Sequence, residues 1–154
     1  MDIRVEIDPT RDEPRVIIQT AEKNEFIENL IYAIEQRVDR EYPPLVAEVP
    51  GSVVMLNQWE VIRLHTENRK VKIHSESGVF ESRNSLQEIE TLLAPDRFVR
   101  ISRFEIINLK KVSGFDFSMA GTIKVQFTDG LETWVARRYV STIRDVLSRM
   151  QSAL

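Results

Sequence analysis

Phe98-Val99-Arg100-Ile101-Ser102-Arg103-Phe104-Glu105-Ile106-Ile107-Asn108-Leu109 is the stretch on which the fold of this chain turns. Strand character at Phe98–Ile101 runs into the basic step Arg100-Ile101-Ser102-Arg103, and a further extended segment ends at Lys110-Lys111. Upstream, Val53–Leu56, Glu60–Thr66, Lys70–His74 and Val79–Ser82 are short strand-like runs, separated by the polar turns Glu67-Asn68-Arg69 and Glu76-Ser77-Gly78. Ser85-Leu86-Gln87-Glu88 is a capping box, and it predicts a short helix with Leu86, Ile89, Leu92 and Leu93 on one side, stopped by Pro95. Downstream, Val112–Phe117 is extended, and Ile123, Val125 and Phe127 alternate strictly with Thr122, Lys124 and Gln126. Thr128-Asp129-Gly130 is hairpin-turn chemistry leading into Glu132–Ala136. Val140, Ile143, Leu147 and Met150 then recur at helical spacing and close the chain.

Toward the N-terminus, Ile3, Val5 and Ile7 alternate with Asp2, Arg4, Glu6 and Asp8, which predicts a half-buried strand; Arg15–Gln19 predicts a second. Phe26, Ile27, Leu30, Ile31, Ile34 and Val38 predict a helix near 21–38 with Thr20 as its N-cap. Pro43-Pro44 cannot continue that helix and, with Pro50-Gly51, marks the internal boundary. Division into an acidic N-terminal segment, 1–45, and a main domain, 46–154, follows. Loss of residues 1–48 is expected to leave a folded fragment.

Composition narrows the function classes. The 154 residues suffice for one domain that buries roughly 70% of its unfolded surface. There is no cysteine, which excludes disulfides, thiolate zinc sites and cysteine nucleophiles and fits a reducing cytoplasm. Apolar runs are too short to span a bilayer, and the alternating N-terminus is unlike a signal peptide. Only His65 and His74 occur, without metal spacing, and no nucleophile elbow or phosphate-cradling glycine loop exists. The expectation is a non-enzymatic protein without cofactor or metal.

Charge is uneven. Residues 1–50 hold 6 Lys+Arg against 12 Asp+Glu, net −6, while 51–154 hold 15 against 12, net +3. Basic residues collect at turns and strand ends: Asn68-Arg69-Lys70, Arg100 with Arg103, Lys110-Lys111 and Arg137-Arg138. Exposed strand edges attract Lys and Arg simply to discourage pairing, which would make this a protein-interaction module with a solvated basic face. Alternatively these residues track phosphates and reach base edges. Composition leaves both open.

The motif itself carries more. Phe98–Leu109 resembles the signature of the LytTR family of bacterial transcription regulators, a Phe-Phe-Arg-x-His-Arg-Ser-like run followed by Ile/Val-Val-Asn. The flanking pattern agrees in order over roughly 50–150: Glu60–His74, the capped helix Ser85–Leu93, Val125–Gly130, Val135-Ala136-Arg137-Arg138-Tyr139 and the closing helix. Ser102 stands where the family often has His, Phe104 where it often has Ser, and Ala136 where a Ser is common.

The resemblance implies an α+β, mostly β fold of small stacked antiparallel sheets with short flanking helices, preceded here by a strand–strand–helix segment. It implies a sequence-specific regulator whose inter-strand loops, not a recognition helix, enter successive major grooves of double-stranded DNA. Carried over, Asn68 and Arg69 form one contact, Ser102 and Arg103 the second, and Arg138 the third with Arg137 beside it. Lys70, Lys110 and Lys111 become phosphate contacts. Arg100 suits either DNA or a structural ion pair, and Asn108 suits a turn cap. The first 45 residues are too few for the receiver domain common in the family. The chain therefore resembles the receiver-less subset, for which a homodimer on paired half-sites and a regulatory membrane protein are implied as partners.

Overall fold

The computed structural model describes residues 1–11, 14–38 and 42–152. Helix α1 (Glu25–Val38) precedes five strands: β1 (Leu45–Val49), β2 (Ser52–Leu56), β3 (Val61–Glu67), β4 (Lys70–Ser75) and β5 (Gly78–Ser82). Helix α2 (Leu86–Glu90) leads to β6 (Phe98–Ser102), β7 (Glu105–Asn108), β8 (Val112–Asp116), β9 (Ile123–Phe127) and β10 (Glu132–Val135), and α3 (Val140–Ser152) follows. The strands form two antiparallel sheets, ordered β2-β1-β5-β4-β3-β7-β6 and β10-β9-β8. This is the mostly β, stacked-sheet architecture expected from the motif.

Alternation along the strands splits the interior in two. Leu64, Ile73, Val71, Leu45, Ala47 and Ile106 face one core, which α2 closes with Leu86 and Ile89. Ile107, Ile123, Val125, Phe127 and Val135 face the other, which α3 closes with Ile143. Two irregularities feed the second core. The register of β3 breaks between Val61 and Arg63, and that of β6 between Arg100 and Ser102. The residues inside those breaks, Ile62 and Ile101, both lie in the second core. A bulge of this kind re-aims a side chain and bends the strand that carries it.

Buried amides stitch the layers. The Gln58 Nε2 group donates to the carbonyls of Pro43 and Leu92 (both 2.8 Å), and its Oε1 accepts from Ala94 N (2.9 Å). Asn108, fully buried, donates from Nδ2 to the Val61 carbonyl (2.7 Å) and accepts the Lys110 N–H (2.9 Å). It caps the 3-10 turn Leu109–Lys111, the structural role expected of it. The Ser85 hydroxyl accepts the Glu88 N–H and donates to the Glu88 carboxylate (both 3.1 Å), so the box closes through the hydroxyl.

The N-terminal segment departs from expectation. Ile3–Ile7 and Arg15–Gln19 form no strands, and Ile3, Val5 and Ile7 are more than 80% exposed. Alternation encodes a face but not a partner, and neither segment has a ladder neighbour among the described residues. Helix α1 starts later than Thr20: Asn24 Oδ1 accepts the Ile27 N–H (3.1 Å), while the Thr20 hydroxyl donates to the Glu22 carbonyl. The side chain of Val38 lies outside the described residues. Tyr32 of α1 meets Trp59 edge-on, ring centroids 5.0 Å apart. Strand β1, which the flanking prolines disguise as a linker, lies between β2 and β5 with Leu45 and Ala47 buried. Removal of residues 1–48 would extract it, so that truncation is expected to unfold the sheet rather than spare it.

Where the two sheets meet, Arg63 Nη1 pairs with Glu105 Oε2 (3.1 Å), and Glu105 Oε1 accepts the Thr133 hydroxyl (2.7 Å). The His65 and His74 rings lie beside this pair with centroids 4.8 Å apart. Burial, then the neighbouring Arg63 and His65, push the His74 pKa down from 6.5 to about 4, against weaker pulls from Asp129 and Glu67. A folded pKa below the unfolded one stabilises the fold fully above pH 6.5, and that contribution drains away as the pH falls toward 4. Melting temperature is therefore expected to drop across that window, and His74→Gln to flatten the drop. Parallel curves for the two proteins would contradict it.

Candidate nucleic-acid interface

Two strand reversals and one strand–helix junction meet at one end of the seven-stranded sheet. The β3–β4 hairpin turns through Asn68 and Arg69, with φ of 51° and 65°. Two consecutive left-handed residues suit a two-residue hairpin loop, since that backbone twist matches the strands. Asparagine tolerates this region; arginine pays a strain there, of a kind that collects at functional sites. The turn holds Arg69 exposed beyond the strand ends.

Ser102, Arg103 and Phe104 make the β6–β7 reversal. The Phe104 N–H donates to Ser102 Oγ (3.1 Å), and Arg100 Nη1 donates to the Arg103 carbonyl (3.0 Å). Arg100 is itself fixed by Glu90, Nε to Oε2 at 2.8 Å, so it takes the structural role of its two alternatives. This reversal and the previous one are joined, because Thr66 N donates to the Phe104 carbonyl (2.8 Å).

The third element is the junction between β10 and α3. Ala136 N donates to the carbonyl of Ile101, the bulged residue of β6 (2.8 Å), and Tyr139 N donates to the Ala136 carbonyl (2.8 Å). The short 3-10 turn Arg137–Tyr139 is thereby held against the end of β6 that carries Ser102. Both arginines are exposed, and the Arg138 guanidinium lies 6.0 Å from the Tyr139 ring centre. Thus Asn68, Arg69, Ser102, Arg103, Arg137 and Arg138 are brought together, with Lys70 at the base of the first turn.

Lys110 and Lys111 stand apart, at the opposite end of β7 from Arg103. Lys111 pairs with Glu76 and lies over the Trp59 ring, 5.6 Å from its centre.

Electrostatics sets the cluster off. Cations elsewhere on the sheets face carboxylates: Arg63 with Glu105, Lys72 with Glu81, Arg83 with Glu48, Arg100 with Glu90 and Lys124 with Glu132. Lys70 reaches Glu81 at 3.4 Å. Among the described residues, the side chains of Arg69, Arg103, Arg137 and Arg138 form no ion pair or hydrogen bond. Four guanidiniums free of acid at one end make an anion-seeking surface, and their planar forks match phosphates or the O6/N7 edge of guanine. Sequence reasoning located these arginines but not Phe104, whose ring stands exposed beside Arg103; its departure from the family's Ser was the available signal.

Comparison with known proteins bears on the family and the fold. A family model described as the LytTr DNA-binding domain matches residues 51–148. Uncharacterized HTH-type transcriptional regulators of Staphylococcus aureus strains N315 and MRSA252 are 26% and 25% identical over 148 residues, spanning 96% of this chain and 99% of each relative. Among solved structures, a LytTr DNA-binding domain from Bacillus cereus superposes with a TM-score of 0.65 at 23% identity, over 68% of this chain and 96% of its own, a likeness of fold. Despite the relatives' designation, α1, α2 and α3 are here separated by strands, with Arg69 and Arg103 on strand reversals and Arg137 and Arg138 on the short turn between β10 and α3. No helix of the described residues is long and apolar enough to cross a membrane.

Proposed function

Because the chain belongs to the LytTR DNA-binding domain family, we propose that it is a transcription regulator that reads successive major grooves of double-stranded DNA through three strand-end loops. The convergence of four acid-free arginines on those loops, while the cations of the sheet strands themselves face carboxylates, carries the proposal. Arg69, Arg103 and Arg138 are the candidate guanine contacts and Asn68 the adenine contact, with Arg137 beside Arg138. Ser102 serves the second loop, where its Oγ already holds the Phe104 amide.

The functional unit is a cytoplasmic homodimer on paired half-sites, under the control of a regulatory membrane protein. The acidic segment 1–45 forms its appendage, except that Leu45, the first residue of β1, belongs to the sheet. The apolar side chains of Ile3, Val5, Ile7 and Phe26, exposed in the single chain, favour such association. A random-library DNA selection with the purified chain tests the proposal. Enrichment of a motif repeated at helical-turn spacing is expected, and flat enrichment would return the basic end to a solvated face.

Lys70, Lys110 and Lys111 are assigned to phosphates, which position without specifying. Lys110→Ala is expected to weaken cognate and random duplexes alike and to flatten the log–log salt dependence by about one unit. Lys111 would have to leave Glu76 to reach a phosphate, so Lys111→Ala should flatten it less. Affinity measured over a range of salt concentrations checks both. A selective loss of cognate binding would assign Lys110 to a base instead.

A further inference from the structure

Phe104 is 57% exposed at the tip of the β6–β7 reversal, although nothing in the turn requires an aromatic residue there. Its backbone is tied on both sides: its N–H donates to Ser102 Oγ (3.1 Å), and its carbonyl accepts from Thr66 N (2.8 Å). Those bonds fix where the ring leaves the chain. The Arg103 guanidinium lies 5.8 Å from the ring centre, and the Asn68–Arg69 turn begins two residues after Thr66. The ring is therefore a fixed apolar projection inside a basic, otherwise polar surface, and water is a poor partner for it.

Given the DNA-reading proposal, on which this inference rests, we propose that Phe104 is a specificity-determining residue that packs against the C5-methyl group of a thymine in the major groove. The major-groove edge of a base pair offers one apolar feature, that methyl, and an aromatic side chain is a suitable partner for it. The neighbouring Arg103 guanidinium supplies the polar contact, so this tip reads by two chemistries: Arg103 a hydrogen-bonding edge, Phe104 the methyl of a nearby pair.

The experiment uses the full chain and the duplex recovered by selection. Each thymine of the site is replaced in turn by deoxyuridine, which lacks only the methyl. The parent protein is expected to lose affinity at one thymine per half-site by about fourfold, the effect of one methyl group withdrawn from an apolar contact. Phe104→Ala and Phe104→Ser are expected to bind thymine and deoxyuridine duplexes equally at that position, with the rest of the motif retained. Two variants are measured because both remove the ring while Ser restores the commoner residue. Undiminished thymine discrimination in the variants would overturn the assignment and leave the DNA-reading account standing. Equal losses on cognate and random duplexes would also overturn it, since the ring would then support binding without specifying. Flat enrichment by the parent protein would overturn both together.

Discussion

Arg138→Ala is expected to leave the melting temperature unchanged and to reduce the ratio of cognate to random affinity by about five- to 150-fold, the 1–3 kcal/mol that a bidentate base contact discriminates. The side chain is exposed and makes no ion pair among the described residues. Its two plausible surface partners are not engaged with it: Glu132 faces Lys124 at 3.3 Å, and Asp145 makes no ion pair among the described residues. Its backbone is nonetheless held firmly, by the Ala136–Ile101 hydrogen bond, the buried Val135 before it and the buried Ile143 after it. A guanidinium leaving a rigid strand–helix junction is preorganised for a planar two-point contact. Arg138→Lys keeps the charge but not the fork, and is expected to lose most of the same ratio. An unchanged ratio would shift base reading to Arg103 and Arg137.

The largest expected loss of stability comes from the last polar residue of the signature run. Asn108→Ala strips the Val61 carbonyl and the Lys110 amide of their partners inside a fully buried site. Leaving each such group unsatisfied costs about 1–3 kcal/mol, so an overall destabilisation of about 2–6 kcal/mol is expected. Urea unfolding should show a lower midpoint at unchanged slope, the sign of altered stability rather than an altered denatured state. Salt-dependent binding of the folded fraction should be unaffected, because Asn108 does not reach the arginine cluster. A loss below about 0.5 kcal/mol would mean that the two groups find other partners.

The hairpins were legible where two signals coincide, period-two alternation and turn chemistry: β3–β4 with Asn68-Arg69, and β9–β10 with Asp129-Gly130. Where only one is present, local reasoning failed in both directions. Ile3, Val5 and Ile7 alternate yet pair with nothing described, whereas β1 pairs on both sides yet is bracketed by Pro43-Pro44 and Pro50-Gly51. The candidate loops could be named from the motif, but their convergence could not. It depends on Ala136 meeting Ile101 and Thr66 meeting Phe104, contacts between residues more than thirty positions apart that no local pattern encodes. Acid partners are equally non-local. Arg100 and Lys111 looked like Arg103 and Lys110 until Glu90 and Glu76 folded against them.

The central claim is that strand-end loops, and not a helix, meet the duplex. Backbone amide NMR of the full chain, titrated with the selected duplex, tests it most directly. The largest shift changes are predicted at Asn68–Lys70, Ser102–Phe104 and Arg137–Tyr139 together, with α1 and the exposed face of α3 little affected. Changes concentrated on α1 or α3, with those three loops silent, would contradict the account.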